Sequence, residues 1–156
     1  MSVTLTNWSA WDFRGAGEWM EWLPLTDAEI KDVPEGAGAY IVGLQRDRIG
    51  RLLADDPHAV VDIGESVRLQ GRLRDFVRCA GSAGQQGHMA GWRLGSFGLL
   101  ERLGVTVADL RFSYRKAQNK DDAYRIEGEM LRMYFEIFGE LPPLNYKFNW
   151  ATWVGD

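Results

Sequence analysis

Cysteine is nearly missing from this sequence: Cys79 stands alone among 156 residues. One thiol rules out an internal disulfide framework and a zinc site built on cysteines. It leaves Cys79 as a small apolar filler near the end of a helix. Long apolar runs are missing too. No stretch approaches the roughly 20 residues that a membrane-spanning helix needs, and "MSVTLTNWSAWDF" lacks the basic region and apolar run of a secretory signal. A cytoplasmic protein is the resulting expectation. Positive charge is also in short supply, with 18 Lys and Arg against 22 Asp and Glu for a net charge of −4. That balance excludes holding nucleic acid through the overall potential, so any such binding must rest on local clusters. Two clusters exist: Arg68, Arg72, Arg74 and Arg78, then Arg111, Arg115, Lys116 and Lys120. They act together if the fold brings them to one side, and are solvated faces otherwise.

What is present suits one core. Apolar residues make up 46% and aromatics 12%, enough for a single domain over 1–156. Residues 1–33 hold Trp8, Trp11, Trp19 and Trp22; such bulk predicts an irregular arm packed over the core, with a short helix near 26–32. A base-stacking platform is the alternative for these rings. "GAGAYIVGL" (36–44) and "HAVVDIG" (58–64) read as two strands that pair antiparallel, with "QRDRIGRLLADDP" a long polar excursion between them. Val67, Leu69, Leu73, Phe76 and Val77 recur at helical spacing through residue 78, opposite the arginines. "AGSAGQQGHMAGWRLGSFG" carries six glycines and reads as an exposed loop or loose helical turn, with a further helix over 92–103 weakened by Gly95 and Gly98. "DLRFSYRKA" (109–117) alternates with period two and predicts a third strand. "DDAYRIEGEMLRMYFEIF" predicts the longest helix, capped by Asp121 or Asp122 and ended by Gly139. The expected architecture is α+β: a small three-stranded antiparallel sheet flanked by helices.

Chemistry-bearing residues fall on these elements in a definite order. Tyr40 lies in "GAY" on the first strand, Asp62 in "DIG" on the second, and Arg72 ten positions later on the following helix. Glu127 lies in "AYRIEGEML" on the long helix, and Asn145 in "PPLN" beyond it. This order resembles the GIY-YIG nuclease family over roughly residues 36–147. The resemblance implies a DNA endonuclease in which Glu127 holds a divalent cation, Mg²⁺ or Mn²⁺, and Tyr40 helps orient or activate water. It further implies that Arg72 grips a nonbridging phosphate oxygen and that Asn145 fixes the closing segment or a bound phosphate. Phosphodiester hydrolysis needs such parts: a base for water, positive charge for the phosphate and help for the departing 3′ oxygen. Glu129 is two residues on from Glu127, roughly 200° around a helix, so both cannot face one metal.

The chain also departs from the family. Asp62 stands where the second motif normally begins with tyrosine, and the connection between the motifs is longer than the usual hairpin. Phe76 stands where many members carry a histidine one turn after the arginine. His88, in the neighbouring glycine-rich stretch, offers an imidazole as base or phosphate ligand; the alternative is polar surface. Asp62 therefore has two readings. Either it replaces a phenolic base with a carboxylate, as base or second metal ligand, or the domain is catalytically degenerate and binds nucleic acid or a protein partner.

Overall fold

The apolar runs become strands and the striped segments become helices in the computed structural model, which describes residues 19–45, 48–147 and 149. In chain order these are β1 (Leu23–Pro24), α1 (Asp27–Ile30), β2 (Gly38–Leu44), β3 (Ile49–Gly50), β4 (Asp55–Asp56) and β5 (Val60–Ser66). There follow α2 (Leu69–Ala80), α3 (Met89–Ser96), α4 (Leu99–Leu103), a 3₁₀ turn (Val107–Asp109), β6 (Leu110–Lys116) and α5 (Lys120–Phe138). The fold is α+β. Its main sheet is antiparallel, in the order β1-β6-β2-β5.

The sheet has four strands rather than three. The fourth comes from the tryptophan-rich arm: Leu23 and Pro24 pair with Phe112 and Arg111, and Trp19 bridges Arg115 further along the same strand. A proline is tolerated there because β1 is an edge strand. Trp19 is buried, and Ser113 Oγ donates to the Met20 carbonyl at 2.6 Å. From Trp19 onward the arm is thus an extension of the sheet. Trp8 and Trp11 lie outside the described residues.

The polar excursion between β2 and β5 forms a second ribbon, β3 with β4. Its anchor is Asp56, fully buried, which accepts hydrogen bonds from the His58 and Val60 N–H groups and from the Tyr134 hydroxyl of α5 at 2.8–2.9 Å. Removing this carboxylate would take a partner from each of those donors, and a buried polar group left unpaired costs about 1–3 kcal/mol.

Two cores sandwich the sheet. Tyr40, Val42, Leu69, Leu73, Phe76, Leu94 and Phe112 pack on the side of α2–α4; Ala39, Ile41, Val60, Ile63, Ile126, Met130 and Tyr134 pack under α5. Cys79 is buried in the first of these helices. The glycine-rich stretch is more regular than its composition predicts. Helix α3 begins at Met89, and a Cβ at Gly91 would lie 2.7 Å from the Phe76 carbonyl oxygen. Gly95, one turn on, meets the Cys79 carbonyl even more closely, so these glycines serve close helix packing. Gly98, at φ +60°, then separates α3 from α4. Helix α5 is capped by Asn119, whose side chain accepts from the Asp122 N–H at 2.9 Å, and ends at left-handed Gly139. Among the described residues no helix is long and apolar enough to cross a membrane.

Candidate active site

Strand pairing places the first half of the site. Tyr40 lies directly opposite Gly64, and Val42 opposite Asp62. A Cβ at Gly64 would collide with the Tyr40 phenol, so the glycine of "DIG" leaves the space in which the ring lies. Tyr40 belongs to the α2–α4 core and Leu131 of α5 to the opposite one, yet both line one cavity of about 410 Å³. Side chains from both faces can meet there because β5 is the outer strand of the sheet. All six residues singled out in the sequence, Tyr40, Asp62, Arg72, His88, Glu127 and Asn145, line this cavity. His58 does not; it lies against Trp22, ring centroids 6.1 Å apart.

His88 sits at the N-cap of α3, buried, and its Nδ1 accepts from the Gly91 N–H at 3.3 Å. Burial, helped by the nearby charge of Arg72, lowers its pKa to about 3, so the ring is neutral at ordinary pH. A neutral ring that accepts at Nδ1 carries its proton on Nε2. Nε2–H therefore donates to Tyr40 Oη at 2.7 Å, and the phenol proton is directed to Asp62 Oδ2 at 3.4 Å. His88, Tyr40 and Asp62 form one directed chain. With both nitrogens engaged, His88 orients Tyr40.

Asp62 is 4% exposed. Burial raises its carboxyl to about 7, against the opposing influence of Arg72, the Tyr40 hydrogen bond and Arg93. Burial likewise raises the Tyr40 phenol well above its ordinary value, and Asp62 adds to the rise. Arg72 reaches the cavity from α2 with Nη1 donating to the Gly87 carbonyl at 2.9 Å. A guanidinium has five N–H donors, so one such bond anchors it without exhausting it. The second basic cluster serves other ends: Arg111 lies over the Trp22 ring, and Lys120 pairs with Glu65 at 3.6 Å.

Glu127 enters from the other face. Burial raises its pKa to about 7; Asn149 opposes the rise, while Glu65 and Asp62 add to it. Asn149 Nδ2 donates to Glu127 Oε1 at 3.2 Å and to the Tyr124 carbonyl at 2.6 Å. Glu129 points elsewhere, paired with Arg125 at 2.7 Å. Asn145 is held to strand β5: its Nδ2 donates to the Ile63 carbonyl at 2.8 Å and its Oδ1 accepts from the Ile63 N–H at 3.0 Å. The amide thus imitates a neighbouring strand and fastens the closing segment to the sheet edge. Arg93 helps by donating to the Leu144 carbonyl at 2.8 Å.

Glu65 and Asn149 are site residues that motif order does not reveal. Period-two alternation along β5 puts Glu65 on the face of Ile63, toward α5, and is the available signal for it. Asn149 has no signal beyond standing four residues after Asn145. Glu65 also answers whether a cation suits the site. Its Oε2 is buried and makes no hydrogen bond among the described residues, and its charge helps to raise the pKa of Glu127. An unmatched carboxylate oxygen beside a buried carboxylate fits a hard divalent cation such as Mg²⁺ or Mn²⁺. Among the described residues no group of three or more His, Cys, Asp or Glu could hold a metal, so most of such a shell would be water.

No family model matches the chain, and no curated protein or solved structure matches it significantly.

Proposed function

We propose that the chain is a metal-dependent endonuclease of the GIY-YIG kind that hydrolyses DNA phosphodiester bonds. One observation carries this reading: six residues chosen for their chemistry and order, spread from position 40 to position 145, line one cavity. The guanidinium of Arg72 grips a nonbridging phosphate oxygen, a task its planar fork suits better than an ammonium. Tyr40 Oη takes a proton from the attacking water while its own proton passes to Asp62 Oδ2. The water becomes hydroxide-like and Asp62 ends neutral. A carboxyl titrating near 7 is matched to accepting that proton at neutral pH. His88 keeps the phenol pointed along this path. Glu127, steadied by Asn149 and flanked by Glu65, holds the cation, which when bound offsets charge on the phosphate and on the departing 3′ oxygen. Asn145 keeps the closing wall on β5.

The test is cleavage of duplex, single-stranded and branched DNA with Mg²⁺ and with chelator, by wild type and Arg72→Lys. Expected is metal-dependent cutting by wild type, and an Arg72→Lys protein that loses far more cleavage than binding. No metal-dependent cutting of any of the three overturns the nuclease reading. Salt-sensitive DNA binding without cutting would mark a degenerate nucleic-acid-binding module, and no DNA binding at all a partner-binding one.

A further inference from the structure

A second cavity of about 400 Å³ adjoins the first, lined by Gln86, Gly87, His88, Met89 and Trp92. His88 and Met89 line both, so the two spaces share a wall. Their chemistry differs. The first is ringed by carboxylates, a guanidinium and amides; the second offers an indole, a thioether and an imidazole. Trp92 is braced by Phe97, which packs edge-on at 5.2 Å and 82°. Met89, which lines both, is half exposed. Two guanidiniums of α2 fasten the polar side of the second space: Arg72 Nη1 to the Gly87 carbonyl at 2.9 Å and Arg78 Nη2 to the Gln86 carbonyl at 2.7 Å. An aromatic slot bordered by guanidiniums therefore lies beside the cavity that Arg72 enters, and its volume falls within the roughly 300–1,000 Å³ range of small-molecule pockets.

We propose that this slot takes one unstacked nucleobase of the substrate strand, next to the phosphate held at Arg72. The proposal rests on the nuclease reading for the identity of the polyanion, and it names the substrate class. A base inside a regular duplex cannot enter a side slot without leaving the stack, so the strand bound here carries unpaired or displaced nucleotides. Stacking on an indole makes the slot tolerant of base identity, because every base has a π-face. Trp92 and Met89 set this preference; neither touches the reacting atoms.

Fluorescence anisotropy in chelator tests it, using a short thymidine oligonucleotide and a base-free oligomer with the same number of phosphates. Base stacking on an aromatic side chain is worth about 1–3 kcal/mol, so wild type should bind the base-bearing oligomer about tenfold more tightly. In Trp92→Ala, checked for native circular dichroism, this ratio should fall toward one. Met89→Glu, at an exposed position that tolerates polarity, should reduce it as well. Equal binding of the two oligomers, no binding of either, or a ratio unchanged in both variants overturns the proposal. Cleavage measured in parallel keeps the two readings apart. Metal-dependent cutting with base-blind binding removes the slot and leaves the nuclease; a base-dependent ratio without cutting does the reverse.

Discussion

Replacing Asp62 with asparagine should make the protein less active and, above neutrality, relatively more stable. The carboxyl is 4% exposed and titrates near 7 in the fold, against an ordinary value of 3.8. A folded pKa above the unfolded one means that the folded state holds the proton more tightly. The ionised form therefore opposes folding: the effect is absent below pH ~4, grows as pH rises from there to about 7, and is complete above it. Each tenfold difference in proton affinity between the folded and unfolded chain is worth about 1.4 kcal/mol, so raising the pH from 5 to 8 costs wild type on the order of 2–3 kcal/mol through this group. Asparagine escapes that cost at every pH, and its amide oxygen still accepts from Tyr40. Whatever the buried amide NH₂ costs is the same at both pH values. The difference in melting temperature, variant minus wild type, should thus rise by roughly 5–10 °C between pH 5 and pH 8, using about 2–4 °C per kcal/mol for a chain of this size. Thermal melts followed by circular dichroism in chelator measure it, beside a cleavage assay in which the variant should fall by about 10² or more. A melting difference that ignores pH, or that moves in favour of wild type as pH rises, refutes the buried-carboxylate argument.

Gly64→Ala places a methyl group against the Tyr40 phenol; it should cost about 1–3 kcal/mol of stability and suppress cleavage while leaving DNA affinity nearly intact, read by melts and by anisotropy. Asn145→Ala leaves the Ile63 N–H and carbonyl without their present side-chain partners, so stability should drop by about 1–3 kcal/mol and amide exchange at Ile63 should accelerate.

Legibility follows the physics of each element. Strand β6 and helix α5 are readable because seven or more residues repeat a period, β2 and β5 because an apolar run is bounded by glycine, and Gly139 marks the helix stop with a conformation few other residues adopt. Strand β1 is not: two residues carry no period, and Pro24 argues against a strand until the edge of β6 is known to be free. The six-glycine stretch reads as loop because composition cannot separate a glycine that bends the chain, such as Gly98, from one that admits a neighbouring backbone, such as Gly91. The order of Tyr40, Asp62, Arg72, Glu127 and Asn145 is visible in one dimension, and so is an imidazole at His88. Its protonation is not, since that depends on the Gly91 N–H pinning Nδ1. Alternation along β5 gives the face of Glu65 but not its neighbours, and Asn149 acts through Tyr124 and Glu127, partners distant in sequence that no local pattern displays.

The most direct test of a cation site on α5 sets Glu127→Gln against Glu129→Gln in Mg²⁺-dependent nicking of plasmid DNA. The two carboxylates are two residues apart on one helix, yet Glu127 lines the cavity and Glu129 is half exposed and paired with Arg125. Glu127→Gln should abolish nicking with the fold intact, and Glu129→Gln should stay within about twofold of wild type, since a surface ion pair contributes at most about 1 kcal/mol. Equal loss in both variants, or full activity in Glu127→Gln, would contradict a metal-dependent site at Glu127.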